Sequence, residues 1–206
     1  MTVPWQAVAV SAVARMILAA AGDPTGRPRI VAVDGHGGAG KSTAAALLAA
    51  EVPGAVVVHT DDVAWHHSFF GWSGLMIDGV LAPLHRGSPV SYRPPAWDAR
   101  DRRGAITVPA GCPLVLVEGT GAARRELAPL LDAVVWIEAD LAEAERRCLT
   151  RDGDTPEHRA FWDEWMAEEI PFFADHRPWE RADVILHGTS GIPHDPAREL
   201  VVRRHP

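Results

Sequence analysis

The 206-residue chain is poor in cysteine and in basic residues. Its two cysteines, Cys112 and Cys148, stand too far apart for a Cys-x-x-Cys metal or redox motif, so we expect reduced thiols in a cytoplasmic protein. Lysine and arginine together number 20 against 27 aspartates and glutamates, which gives a formal net charge of −7. Because no basic cluster stands out, we expect no nucleic-acid partner.

Long uninterrupted apolar runs are also missing, so we expect no membrane partner. The most apolar stretch, Val3–Ala21, is broken by Gln6, Ser11 and Arg15, and no basic segment precedes it. Its apolar residues recur at helical spacing, which predicts an amphipathic helix packed on the domain and not an export signal. The length and a hydrophobic content of 47% suit a single soluble domain over residues 1–206.

The only lysine of the chain, Lys41, lies in its most informative segment. Residues 35–42 read Gly-His-Gly-Gly-Ala-Gly-Lys-Ser, which fits a glycine, four residues and then Gly-Lys-Ser/Thr. A β-rich apolar run precedes this segment and an alanine-rich helical run follows it. This setting predicts a phosphate-binding loop and makes an ordinary glycine-rich turn the weaker interpretation.

The chemistry of this loop suits a nucleoside triphosphate. Its glycines let the backbone curl and aim N–H groups inward, and the following helix adds the positive end of its dipole. Lys41 would reach the outer phosphates, and the hydroxyl of Ser42 would hold Mg²⁺. We therefore expect ATP and Mg²⁺ as cofactors, with nucleotide contacts from Gly35, His36, Gly37, Gly38, Ala39, Gly40, Lys41, Ser42 and Thr43.

Apolar β-rich runs alternate with helical segments along the chain. Strands are predicted at Ile30–Asp34, Ala55–Thr60, Leu114–Glu118, Ala133–Glu138 and Val184–His187. Helices are predicted at Val3–Ala21, Lys41–Glu51, Ala123–Leu131, Leu141–Arg151 and Glu157–Phe173. This alternation predicts an α/β fold of the phosphate-loop NTPase type, a five-stranded parallel sheet with helices on both faces. The loops after the first three strands should converge on one site.

Two acids end predicted strands beside the phosphate loop. Asp61 follows the second strand and can accept the proton of an attacking hydroxyl or hold a water of Mg²⁺. The alternative role is a helix N-cap, which we assign to its neighbour Asp62. Glu118 ends the third strand and can hold Mg²⁺ through water, although it can also be an acid that simply ends a strand.

A charged helix near residue 150 carries Arg147 and Arg151, which are four residues apart and therefore lie on one face. These arginines can close over the triphosphate and neutralise charge in the transition state, so we assign Arg147 to nucleotide binding and Arg151 to catalysis. For Arg146 we favour a solvated surface position. We interpret residues 150–158 as a short lid.

The least regular stretch, about residues 63–108, is rich in Gly, Pro, Trp and Arg, and we interpret it as an insertion that binds the acceptor. The candidate contacts are Trp65, Tyr92, Arg93 and Trp97. Planar rings and a guanidinium suit an acceptor with a flat or anionic part. Trp97 can equally belong to the core, because aromatic side chains dominate cores as well.

With these residues in order, the chain resembles the uridine kinase family of phosphate-loop kinases from about residue 30 to residue 188. The similar segments are Gly35–Ser42, Asp61 after the second strand, Pro95–Asp98, Val117–Gly119, Arg146–Arg147, Arg151–Asp152 and Arg181–Ile185. The resemblance implies an ATP-dependent phosphotransferase that acts on a nucleoside-like or nucleotide acceptor. The competing hypothesis is an ATP-binding regulatory protein without kinase turnover. The sequence leaves open whether the protein forms a homo-oligomer.

The chain departs from the family at the acceptor side. Trp97 stands where the family has a tyrosine, and Arg102 aligns with a histidine that reads the base. The family's longer lid shrinks here to residues 152–155. A fixed positive charge at Arg102, with Arg93 nearby in sequence, predicts an acceptor that carries a negative group.

Overall fold

The computed structural model describes residues 4–204 and contains a seven-stranded main sheet. The strands are β1 (Gln6–Ala9), β2 (Arg29–Gly35), β3 (Val56–His59), β4 (Val90–Tyr92), β5 (Ile106–Val108), β6 (Leu114–Glu118), β7 (Ala133–Glu138), β8 (Val184–His187) and β9 (Glu199–Arg204). The main sheet has the order β1-β9-β8-β7-β2-β6-β3, and β4 pairs with β5 in a separate hairpin. Strands β8, β7, β2, β6 and β3 are parallel, as predicted, but the antiparallel strands β9 and β1 extend the predicted five-stranded sheet to seven strands.

Eight α-helices lie within the described residues 4–204. They are α1 (Val10–Ala21), α2 (Lys41–Ala50), α3 (Thr60–Ala64), α4 (Ser73–Met76), α5 (Ala82–His85), α6 (Pro95–Ala99), α7 (Leu141–Asp152) and α8 (Pro156–His176). A π-helical segment, Ile77–Leu81, joins α4 to α5, and 3₁₀ turns occupy Ala128–Leu130 and Pro178–Arg181. Across residues 4–204, none of the helices combines the length and the apolar character that crossing a bilayer requires.

The central strand β2 is buried on both faces, which explains its continuous apolar run. Ile30 and Ala32 pack in a cluster on one side of the sheet, and Val31 and Val33 pack in a cluster on the other. This alternation follows from the two-residue period of a strand. Helices therefore cover both faces, as predicted for a parallel sheet.

One helix prediction is wrong at its start, although residues 10–21 form α1 as predicted, and a second helix prediction is wrong throughout. The segment 6–9 within the predicted helix Val3–Ala21 forms strand β1, which pairs antiparallel with β9, while Val3 lies outside the described residues. The predicted helix Ala123–Leu131 forms turns and a short 3₁₀ segment, because Pro129 interrupts it and a buried carboxylate binds the N–H of Ala123. Both errors come from contacts with distant residues, which override local helical pattern.

The predicted insertion at residues 63–108 contains short helices and the β4–β5 hairpin. Its side chains contribute to the core on one face of the sheet, and Trp72 and Trp97 are both buried. Residues 65–72, at the start of this insertion, run beside the carboxyl ends of the strands. The β4–β5 hairpin comes later in the sequence of the insertion.

Candidate active site

A cavity of about 930 Å³ lies at the carboxyl ends of β2, β3 and β6. It is bounded by the phosphate loop, by the segment 65–72, and by α7 and α8. Among the predicted nucleotide-binding residues, the structure places these in its lining: Gly37, Gly38, Gly40, Lys41, Ser42, Thr43 and Arg147. Gly35, His36 and Ala39 belong to the same loop but do not line the cavity. The loops that follow β2, β3 and β6 therefore converge at the carboxyl ends of the strands, where parallel sheets bind ligands.

The phosphate loop needs glycine at two positions for different reasons. Gly40 precedes α2 with a φ of 94°, a backbone conformation that side chains with a Cβ disfavour. Gly38 has a φ of 75°, and a Cβ there would collide with the carbonyl oxygen of Ala144 on α7. The loop and α7 are therefore in close contact, and Arg147 follows Ala144 by less than one helical turn.

Lys41 begins α2 and is largely buried, with 8% of the residue exposed. Its ammonium group donates a hydrogen bond to the carbonyl oxygen of His36 at 2.8 Å. The only lysine of the chain is thus held over its own loop at the edge of the cavity.

A carboxylate at the end of β6 connects the loop to the neighbouring strand. Glu118 accepts a hydrogen bond from the hydroxyl of Ser42 at 3.0 Å and one from Nδ1 of His59 at 2.7 Å. Burial raises the pKa of Glu118, but the bond from His59 and the charge of Lys41 outweigh it, so the pKa is lowered overall. The bond to Glu118 in turn raises the pKa of His59 against the effect of burial. Glu118 is therefore ionised at neutral pH.

The donor set around Glu118 fits Mg²⁺ better than a transition metal. Within residues 4–204, no three His, Cys, Asp or Glu side chains are grouped to hold a metal ion. Ser42 and Glu118 supply one hydroxyl oxygen and one carboxylate, both hard ligands. Mg²⁺ keeps several waters and takes few protein ligands, so this small set suits it.

Asp61 and its neighbour Asp62 have different surroundings. Asp61 lines the cavity, where burial raises the pKa of its carboxyl group although the charge of Lys41 lowers it. Asp62 is not the helix N-cap that we predicted, because α3 begins at Thr60. The N-cap residue is His59, whose side chain makes no capping hydrogen bond. The carboxylate of Asp62 pairs instead with Arg102 at 2.5 Å.

The two predicted arginines of α7 both line the cavity. Arg147 donates to Glu143 at 3.0 Å and to the carbonyl oxygen of Gly188 at 2.7 Å. Arg151 makes two hydrogen bonds to Asp152 at 2.7 and 2.8 Å, which raise its pKa. These pairs are solvent-exposed and so contribute little to stability, which leaves both guanidinium groups able to exchange partners.

Trp65 is the one predicted acceptor contact that lines the cavity; Tyr92, Arg93, Trp97 and Arg102 do not. Trp97 is 4% exposed and donates its indole N–H to the carbonyl oxygen of Asp62 at 2.8 Å. The guanidinium carbon of Arg102 lies 3.8 Å from the ring centre of Trp97.

Both arginines behind the anionic-acceptor hypothesis form ion pairs outside the lining of the cavity. Arg102 pairs with Asp62, as described above, and Arg93 pairs with Asp98 at 2.7 Å. Arg93 also donates to the carbonyl oxygens of Arg102 and Gly104. These side chains therefore brace the insertion outside the lining of the cavity, and an acceptor with a negative group stays a prediction that their positions do not support.

The sequence analysis missed an aromatic wall that lines the cavity and reaches the phosphate loop at Gly37. The wall combines Phe69 from the segment 65–72 with Phe161, Trp162 and Trp165 from α8. The ring centre of Phe69 lies 5.9 Å from that of Phe161 and 5.1 Å from that of Trp165. The four-residue spacing of aromatic residues on α8 is visible in the sequence and could have indicated this wall. The spacing does not show which segment α8 contacts.

Two buried acids beside the phosphate loop were also missed. Asp34 at the end of β2 is fully buried and accepts three backbone N–H groups. Glu169 on α8 is fully buried and contacts His36 and Gly37 of the loop. Glu169 looks like an ordinary surface acid in sequence, whereas Asp34 ends the predicted apolar strand Ile30–Asp34 and was not singled out.

Comparison with known proteins supports the fold and leaves the activity open. No family model and no curated protein matches the chain. A solved structure of a fructose transport system kinase candidate from a Silicibacter species is 23% identical, covers 85% of this chain and 95% of its own, and gives a TM-score of 0.59. A uridine kinase candidate from Bacillus stearothermophilus is 19% identical, with coverages of 85% and 96% and the same TM-score of 0.59. The chain therefore shares the α/β fold of these two structures, which agrees with the predicted fold class.

Proposed function

We propose that the protein is an ATP-dependent kinase that transfers the γ-phosphoryl group to a hydroxyl group of a small-molecule acceptor. One observation carries this proposal: Lys41, the Ser42–Glu118 pair and Asp61 all border one cavity. Phosphoryl transfer needs positioning and charge stabilisation more than covalent chemistry, and this set supplies both. The names of the two structural neighbours agree with this proposal.

The phosphate loop and α7 would bind the nucleotide. Lys41 would exchange its bond to the carbonyl oxygen of His36 for bonds to the phosphates. Arg147 and Arg151 would exchange exposed carboxylate partners for phosphate oxygens, and Arg151 would neutralise charge in the transition state. Ser42 and Glu118 would hold Mg²⁺, which neutralises charge on the phosphates when it is bound.

Asp61 would accept the proton of the attacking hydroxyl. Its position on the first turn of α3 lines the cavity, and burial raises the pKa of its carboxyl group towards that of an effective base at neutral pH. Asp62 is one residue away, but it pairs with Arg102 and does not line the cavity.

The lining of the cavity favours an acceptor without a phosphate or carboxylate group. Within residues 4–204, the lysines and arginines of the lining are Lys41, Arg147 and Arg151, all on the nucleotide side. The aromatic wall contributes aromatic rings and neither lysine nor arginine. Such a surface buries a flat or apolar body well and offers an anionic group no lysine or arginine away from the nucleotide side.

A coupled ADP-release assay with matched acceptors tests the proposal. Each pair differs by one phosphate: uridine with its monophosphate, cytidine with its monophosphate, and fructose with a fructose monophosphate. We expect the uncharged member to have the higher kcat/KM, by about tenfold or more for a ring-bearing acceptor, since an unpaired buried charge costs several kcal/mol. A preference for the phosphorylated members would refute the uncharged-acceptor proposal. ATP binding without turnover on any acceptor would favour the regulatory alternative.

A further inference from the structure

The buried carboxylate of Glu169 joins α8 to the phosphate loop. Its Oε1 accepts the backbone N–H of Gly37 at 2.8 Å and the indole N–H of Trp165 at 3.0 Å. Its Oε2 accepts a hydrogen bond from Nδ1 of His36 at 2.8 Å. The side chain is 0% exposed, and both of its oxygens are occupied by donors.

The same helix presses on the loop around this carboxylate. A Cβ at Gly37 would lie 3.2 Å from the indole nitrogen of Trp165 and 3.5 Å from the ring of Trp162. The ring of Phe173 packs at 4.8 Å against that of His36. Glycine at position 37 therefore permits a close approach between α8 and the loop.

The contact has two consequences for the cavity. His36 supplies the carbonyl oxygen that holds Lys41, so the residue fastened by Glu169 also fixes the rest position of the lysine. Trp165 reaches Glu169 from the aromatic wall, one helical turn earlier on α8. One carboxylate thus connects the phosphate loop to the aromatic wall of the cavity.

We propose that Glu169 is a positioning residue that holds the first turn of the phosphate loop in its nucleotide-binding geometry by fastening it to α8. This inference rests on the proposed function, because it assigns Glu169 a role at the same site. A backbone N–H held by a fixed carboxylate cannot rotate freely, so the loop is preorganised before nucleotide arrives. Without the carboxylate, part of the binding free energy would be spent on ordering the loop.

Three variants separate this role from a general effect on folding. Glu169→Ala removes the acceptor for Gly37 and His36. Glu169→Gln keeps an oxygen for Gly37 and Trp165, and its amide can donate to neutral His36. Glu168→Gln changes the adjacent, exposed acid on the same helix and is the matched control.

Affinity for a non-hydrolysable ATP analogue with Mg²⁺, measured by calorimetry on the full chain, is the first readout. We expect Glu169→Ala to weaken binding by about tenfold or more, the loss expected when hydrogen bonds to a charged group disappear. We expect Glu169→Gln and Glu168→Gln to stay within about threefold of the wild type. Hydrogen exchange without nucleotide is the second readout, and residues 36–43 should exchange faster only in Glu169→Ala.

The outcomes distinguish the two proposals. Failure of the wild type to bind the analogue would refute the proposed function itself. Wild-type affinity and exchange in a folded Glu169→Ala variant would refute the positioning role alone, as would a Glu169→Gln variant that loses as much affinity as the alanine variant. If Glu169→Ala does not fold, Glu169→Asp replaces it, because the shorter carboxylate cannot reach the loop; unchanged nucleotide affinity in that variant would overturn the inference.

Discussion

Replacing Asp34 with asparagine should change how the stability of the protein depends on pH. The carboxylate is fully buried, and its Oδ1 accepts the N–H groups of Gly35 at 2.7 Å and Gly121 at 2.8 Å. Its Oδ2 accepts the N–H of Ala123 at 2.8 Å. Burial raises the pKa of Asp34 to about 6, even though these three bonds and Lys41 lower it.

The raised pKa sets the sign and the size of the effect. A carboxyl group whose pKa is higher in the folded state favours folding most at low pH, below the unfolded pKa of 3.8, and this contribution is lost as the pH rises through about 6. The total contribution is about 3 kcal/mol, and about 2 kcal/mol of it falls between pH 4.5 and 7.5. Asparagine does not titrate, so the Asp34→Asn variant lacks this contribution.

Urea unfolding of both proteins at several pH values between 4.5 and 7.5 measures the effect. We expect the free energy of unfolding of the wild type, minus that of Asp34→Asn, to fall by about 2 kcal/mol across this range. Groups that titrate equally in both proteins cancel in this difference. Asp101→Asn changes an exposed acid and should leave the difference flat. A constant difference for Asp34→Asn would show that the buried carboxyl does not titrate here.

Four further substitutions test the site. Lys41→Ala should abolish turnover and weaken ATP binding in a folded protein, because no second lysine exists to replace it; wild-type ATP affinity by calorimetry would refute the phosphate-loop assignment. Asp61→Asn should bind ATP but lose about 10²-fold or more in kcat, whereas a larger loss in Asp62→Asn would reassign the base. Arg102→Ala should lower the free energy of unfolding by about 1 kcal/mol, because it removes the ion pair with Asp62 and the contact with the ring of Trp97. The same variant should leave kcat/KM nearly unchanged. A large change in acceptor KM would instead support the predicted contact between Arg102 and the acceptor. Phe161→Ala should raise the acceptor KM without changing ATP affinity, and an effect on ATP alone would argue against the aromatic wall as the acceptor surface.

Local sequence determined the parts of this protein whose residues are close together in the chain. The Gly-Lys-Ser segment after an apolar run was sufficient to predict the phosphate loop, and the alternation of strands and helices predicted the parallel strands around it. Asp61 and Glu118 could be singled out because acids at the carboxyl ends of parallel strands meet at one edge. The structure places both beside Lys41, and their roles remain predictions.

Tertiary contacts decided what no local pattern could. Strand β1 exists because it pairs with β9 almost two hundred residues away. Arg102 lies outside the lining of the cavity, where it pairs with Asp62, which is 40 residues earlier. Glu169 reaches Gly37 across a separation of 132 residues, and the aromatic wall joins α8 to a distant segment in the same way. The sequence names the groups able to bind phosphate, but the fold determines which charges are already paired and which side chains face the cavity.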